Sequence, residues 1–381
     1  MNRKHFLILV ILVLVVGGTG LVLWQRNSAS WDASGARVGQ KLLPKFDVDA
    51  VAKIRLQDGE HTATVARKGK QWVVAERGDY PADVSKISSL LLTLSDLKVV
   101  QGQSVASDLL PRLDLTRPGG GHATKASADK HVGTLIEFDD KDGKSLAEVL
   151  LGKKFLKQEA GPMGETGSPA GRYVLTGNNQ DNVLLVADAL DAAVAEPAQW
   201  LDKRFFQIEH AKTITVEPSN GGAQWALARA TEDKPWQLTP LEKDDKLDAG
   251  KAGSLADGLD TLSFNDVATD AGKWQDKATA VTITTFDNLT YSLKIAPAAD
   301  GNDYFAATVS GTPPQTRTPG KDEKSADKKK LDKAFQDKLK KLEDRIKFEQ
   351  SLAKWTYLVP KASVASLTAG RDQMLEAKKK K

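Results

Sequence analysis

A chain of 381 residues exceeds one typical domain and suits two of about 160 residues behind a leader. Its 54 Lys and Arg against 50 Asp and Glu leave a net charge of +4, and with no basic stripe outside one segment this balance argues against nucleic acid as a partner. Cysteine is absent, so no disulfide forms, no thiol is open to lipidation, and the chain is indifferent to the redox state of its compartment.

Residues 1–5 form a short tail carrying Arg3 and Lys4. Phe6 to Trp24 is then uncharged and of roughly the 20 residues needed to cross a bilayer, which predicts a transmembrane anchor over 6–24 and a linker over 25–50. A cleavable signal peptide fits less well, because its apolar core usually runs about 7–15 residues and the small-residue site at Ser28-Ala29-Ser30 is poor. Arg3, Lys4 and the α-amino group favour a cytoplasmic N-terminus against Arg26, Arg37, Lys41 and Lys45 beyond the span. The expectation is a single pass with the body outside.

The first α+β repeat is expected over 51–207. Val51 to Leu56 alternates apolar and polar, Asp58-Gly59 turns, and Thr62 to Ala66 alternates again, the pattern of a β-hairpin. Gln71-Trp72-Val73-Val74 follows as a third strand, and Asp83 to Leu97 places Ile87, Leu91 and Leu94 at helical spacing. Thr134 to Phe138 and Leu146 to Leu151 flank an Asp142-Gly143 turn. Arg172 to Leu175 reads as a strand, and Val186 to Val194 as a short apolar helix.

The second repeat, expected over 208–372, runs through similar signals. Lys212 to Val216, Trp225 to Ala230 and Trp236-Gln237-Leu238 precede a helix at Lys251 to Leu262, and Thr-Leu-Ser recurs at Thr93 to Ser95 and Thr261 to Ser263. Ala280 to Phe286 and Thr290 to Ile295 form the later hairpin, Thr356 to Val359 is aligned with Arg172 to Leu175, and Val364 to Leu367 closes as a short helix. The fold class expected is α+β: an N-terminal transmembrane helix, then two tandem, internally duplicated and mostly antiparallel sheet-plus-helix domains.

The second repeat carries a charged insertion. Thr312-Pro313-Pro314 to Gly320 is linker-like, and 321–352 reads as a helix of coiled-coil character with Leu331, Phe335, Leu339, Leu342 and Ile346 on one stripe. Such a stripe must be buried against something. It either folds back on its own domain or protrudes as an arm that docks on a partner, and its five apolar residues are the candidate partner-binding set. Lys157 to Gly171, with Gly161, Gly164 and Gly167, is expected as a flexible loop at the same point of the first repeat. Residues 373–381 end in a solvated Lys378 to Lys381 run.

Chemistry-bearing motifs are few. The five histidines are scattered, and His122 with His131 supplies two donors where structural zinc takes four and catalytic zinc three. Setting Gly143 at the sixth position of a calcium loop puts Phe138 first and Val149 twelfth, so the match fails. Asp244, Asp245 and Asp248 precede a helix, where negative charge suits the dipole. No nucleophile elbow, helical His-Glu-x-x-His or phosphate loop occurs. No catalytic, metal or cofactor site is expected.

The hairpin, the tryptophan strand (Gln71-Trp72, Pro235-Trp236), the leucine helix, the tyrosine strand and the closing Trp200-Leu201-Asp202-Lys203-Arg204 resemble the domain of unknown function 4340 family over most of the chain beyond the anchor. The resemblance implies a bacterial protein of the cytoplasmic (inner) membrane, encoded beside ABC-type transporters of the gliding-motility or auxiliary kind, with its body in the periplasm or outside. No catalytic residue carries over, because the family supplies none. The function expected is a non-enzymatic accessory or interaction module whose partners are the membrane and an ABC transporter permease or other envelope protein. The alternative is an extracytoplasmic hydrolase or ligand-binding protein with a site between the repeats.

Overall fold

The computed structural model describes residues 37–119, 131–161, 164–177, 182–219, 221–319, 323–324 and 327–377. The expected anchor at 6–24, His122 and the 378–381 run lie outside the described residues. Among those described, no helix is long and apolar enough to cross a membrane. The chain divides into two compact units, Met1–Asp202 and Lys203–Lys381.

Unit 1 is built on nine strands: β1 Lys53–Gln57, β2 Thr62–Lys68, β3 Gln71–Val74, β4 Tyr80–Pro81, β5 Val99–Ser104, β6 Thr134–Asp139, β7 Ser145–Gly161, β8 Gly164–Thr176 and β9 Asn182–Val186. They form one antiparallel sheet in the order β4-β3-β2-β1-β6-β7-β8-β9-β5. Alternation decides the inner face: Ile54, Leu56, Ala63 and Val65 are fully buried while their neighbours along the strands are not. Helix α1, Val84–Asp96, starts where Asp83 accepts hydrogen bonds from the Ser85 and Lys86 amides at 2.9 and 3.2 Å. It buries Ile87, Leu90, Leu91 and Leu94. Two glycines are fixed by different needs. Gly143 takes φ +80° in the β6–β7 turn, and a Cβ on Gly152 would lie 2.3 Å from the Leu113 carbonyl oxygen.

Unit 2 has eight strands: β10 Ala211–Glu217, β11 Trp225–Ala228, β12 Gln237–Thr239, β13 Asp266–Val267, β14 Thr279–Thr285, β15 Leu289–Pro297, β16 Asn302–Gly311 and β17 Tyr357–Pro360. Its helices are α2 Ala249–Gly258, α3 Lys328–Leu352 and α4 Lys361–Thr368. The antiparallel order is β12-β11-β10-β14-β15-β16-β17-β13, which is the order of unit 1 without β4. Rings of Phe205, Phe264, Phe305 and Tyr357 meet at centroid distances of 4.8 to 5.4 Å in its core.

The shared strand order corrects three expectations. By sheet position β8, with Tyr173, corresponds to β16, with Tyr304, while the Tyr357 strand β17 corresponds to β9. The alignment of Arg172 to Leu175 with Thr356 to Val359 is therefore one strand out of step. Val186 to Val194 is not a helix: Val186 ends β9, Leu190 turns at φ +51° with its amide on the Asp188 carboxylate, and Arg172 takes the Ala189 and Leu190 carbonyls. Those carbonyls are therefore not free for a helical ladder. Nor is 157–171 a loop. Its backbone pairs as the long β7–β8 hairpin, from Lys157 opposite Ser168 to Gly161 opposite Gly164. The extended hairpin and α3 consequently sit in different connections, β7–β8 in unit 1 and β16–β17 in unit 2.

Candidate functional site

The β16–β17 connection is organised by one arginine. Arg317 pairs with Glu323 and donates to Asp332 Oδ1 at 2.8 Å, while Gln315 donates to Glu343 Oε1 at 3.4 Å. The segment before α3 is thus tied along one border of the helix.

The apolar stripe of α3 does not behave as one surface. Leu339 and Ile346 are buried, as is Leu352 beyond them, and the C-terminal half packs on β16 of its own unit. Leu331 remains 40% exposed, with Phe335 and Leu342 partly covered. Of the two fates open to this helix, its C-terminal half takes the fold-back and its N-terminal end keeps its apolar residues accessible. Leu339 and Ile346, at 8% and 6% exposure, offer a partner little surface.

Behind the stripe lies a fully buried carboxylate. Glu349 is 0% exposed; its Oε1 accepts from the Gln207 amide at 3.0 Å and its Oε2 from the Tyr291 hydroxyl at 2.9 Å. Arg345, one turn earlier, places Nε 3.9 Å from Glu349 and donates through Nη1 to Glu209 at 2.5 Å. Removing a carboxylate from water is costly unless hydrogen bonds and charge compensate, and here two donors and a guanidinium do so. Burial still dominates and pushes the Glu349 carboxyl up. Burial, then the adjacent Glu349 charge, raises the Tyr291 hydroxyl above the usual phenol range. The Glu209 carboxyl is held below its ordinary value by its hydrogen bond to Arg345. Burial works against the charge on Arg345, but Glu209 outweighs it and the guanidinium is held more firmly protonated.

This group is a pin: Glu349 is sealed from solvent and cannot meet a reacting molecule. It was legible in part, since Glu349 continues the stripe three residues after Ile346 and four after Arg345. Its partners Tyr291 and Gln207, distant in sequence, carried no such signal.

Three depressions bring polar side chains together. A cleft of ≈ 190 Å³ beside the pin is lined by Glu209, His210, Asp287, Lys338, Lys341 and Arg345. His210 sits 2.8 Å from Glu232. A unit 1 cleft of ≈ 270 Å³ contains His61, Lys154, Arg172 and Asp191, but Arg172 donates to the Gly152, Ala189 and Leu190 carbonyls and Lys154 pairs with Asp191. Those cations brace the backbone. A further depression, ≈ 630 Å³, lies at the start of α2, where Asp248 is engaged in capping the helix. Among the described residues no group of three or more His, Asp or Glu side chains is placed to hold a metal.

Comparison with known proteins adds one finding. A family model described as a domain of unknown function (DUF4340) matches residues 72–281, more than half the chain, running from β3 of unit 1 to β14 of unit 2 and stopping before α3. No curated protein and no solved structure gives a match.

Proposed function

The chain belongs to the domain of unknown function 4340 family, and on that footing we propose that it is a non-enzymatic, membrane-anchored accessory module of an ABC-type transport system. Residues 6–24 hold it in the cytoplasmic membrane of a bacterium, N-terminus inside, and the two units stand outside as copies of one α+β module. The observation that supports this reading is the common strand order of the two sheets, one scaffold occurring in both units and elaborated at a different connection in each. The uncharged stretch Phe6 to Trp24 supports the anchor. The added helix α3, welded at one end by Glu349 and open at the other at Leu331, supports a contact role.

Affinity purification of the tagged chain from detergent-solubilised membranes tests the proposal. Recovery of transporter permease or ATPase subunits is the expected result. A chain that stays in the membrane fraction yet brings down no transporter subunit would count against it.

A further inference from the structure

We propose that the lysine-bearing flank of α3 is a docking surface for an anionic phospholipid membrane; this rests on the membrane-anchored reading above. Residues 328–341 hold seven lysines against two aspartates, a local charge of 7 − 2 = +5 in a chain whose total is only +4. One of the two aspartates, Asp332, is already engaged by Arg317. All seven lysines are exposed, and none has an ion-pair partner among the described residues.

Three of the lysines share one flank of the helix, while Lys329, Lys333 and Lys340 lie together on another side and Lys328 lies toward the apolar stripe. At about 100° per residue, Lys330, Lys341, Lys338 and Leu331 fall in order within an arc of about 100°. The opposite border of the stripe carries Asp332 and Glu343, where Arg317 and Gln315 lay the preceding segment along the helix. One border is therefore covered by the protein itself and the other is left basic. Along the basic border, Lys338 and Lys341 line the ≈ 190 Å³ cleft; Arg345 and His210 beside them are engaged by Glu209 and Glu232, so the two ammonium groups are what this border offers a lipid phosphate, against the carboxylates of Glu209 and Asp287 in the same lining.

Two features select a lipid surface over other polyanions. Leu331 is 40% exposed among the lysines, so the flank offers an apolar contact as well as charge, the combination that settles at the headgroup boundary. The span at 6–24 would also confine α3 near a bilayer, raising the local concentration of headgroups.

The absence of cysteine makes the test clean. Ala334, exposed and within the basic arc, is replaced (Ala334→Cys) and labelled with an environment-sensitive dye in the full chain, reconstituted through its own anchor. In phosphatidylcholine vesicles the dye should report water; with about a quarter phosphatidylglycerol it should shift to the blue, and salt at about 0.5 M should reverse the shift by screening. Lys330→Glu/Lys338→Glu/Lys341→Glu should lower the apparent affinity for added anionic vesicles at least about a hundredfold with the circular dichroism spectrum unchanged. Alkaline extraction reads the anchor separately: an extracted chain refutes anchorage, and the dye response to added vesicles still decides the lipid claim. A dye indifferent to lipid charge in a retained chain overturns the inference. So does equal occupancy by inorganic phosphate or duplex DNA, which would make the flank a general anion site.

Discussion

The Tyr291 hydroxyl on β15 donates to Glu349 Oε2 on α3 at 2.9 Å, with the carboxylate entirely out of water. This bond joins the sheet of unit 2 to the helix inserted between β16 and β17, and the Gln207 amide closes the other oxygen. Glu349→Ala should leave both donors unsatisfied and destabilise unit 2 by about 1–3 kcal/mol for each. Tyr291→Phe removes one donor and should cost less. In chemical denaturation the double variant should fall short of the sum, with a coupling of about 0.5–3 kcal/mol; strict additivity would mean the two residues do not act together.

The raised Glu349 carboxyl gives a pH signature. A folded-state pKa above the ordinary value of 4.5 means the folded chain binds this proton more tightly than the unfolded chain. Its contribution to stability therefore falls as pH rises from about 4.5 through the folded-state value and is constant above it. Measured against Glu349→Gln, which does not titrate there, the wild type should lose relative stability over that interval. Comparison with this variant cancels the opposite trend of Glu209, whose lowered carboxyl loses its contribution as pH falls. A pH-independent difference would show that burial does not govern Glu349.

Helix α3 should show a gradient of sensitivity along its length. Leu352, 1% exposed, should cost about 2–5 kcal/mol when cut to Ala, whereas Leu331→Ala, at 40% exposure, should stay within about 0.5 kcal/mol. Amide hydrogen exchange should follow the same slope, slow near Ile346 and fast near Leu331. A helix that exchanges uniformly fast would mean its C-terminal half is not docked.

Gly152→Ala should destabilise unit 1, because the new methyl would press on the Leu113 carbonyl at 2.3 Å and on the Leu115 side chain at 2.7 Å. The expected cost is about 1–3 kcal/mol, as for overpacking elsewhere. Gly143→Ala, with open space around its Cβ but φ +80°, should cost about 1 kcal/mol through backbone strain alone. Thermal unfolding separates the two.

Much of this architecture was readable in the chain. The 54–56 and 63–65 alternation marked the first hairpin, and the spacing of Ile87, Leu91 and Leu94 marked α1, while the cap by Asp83 emerges only from the structure. The β7–β8 extension was not readable, because glycines at 161, 164 and 167 suggest a loop while the pairing that makes them a hairpin depends on register with the opposite strand. Aligning Tyr173 with Tyr357 failed for a related reason: a single aromatic in an apolar strand cannot distinguish neighbouring strands of one sheet. Leu339 and Ile346 looked like partner contacts because periodicity shows that a stripe is buried, not what buries it.

Native electrophoresis of solubilised membranes reads the proposed partnership with a transporter. The tagged chain should co-migrate with an ABC-type transporter complex, and deleting the chain should shift that complex to smaller size. A chain that migrates alone, with the transporter complex unchanged by its deletion, would contradict the claim.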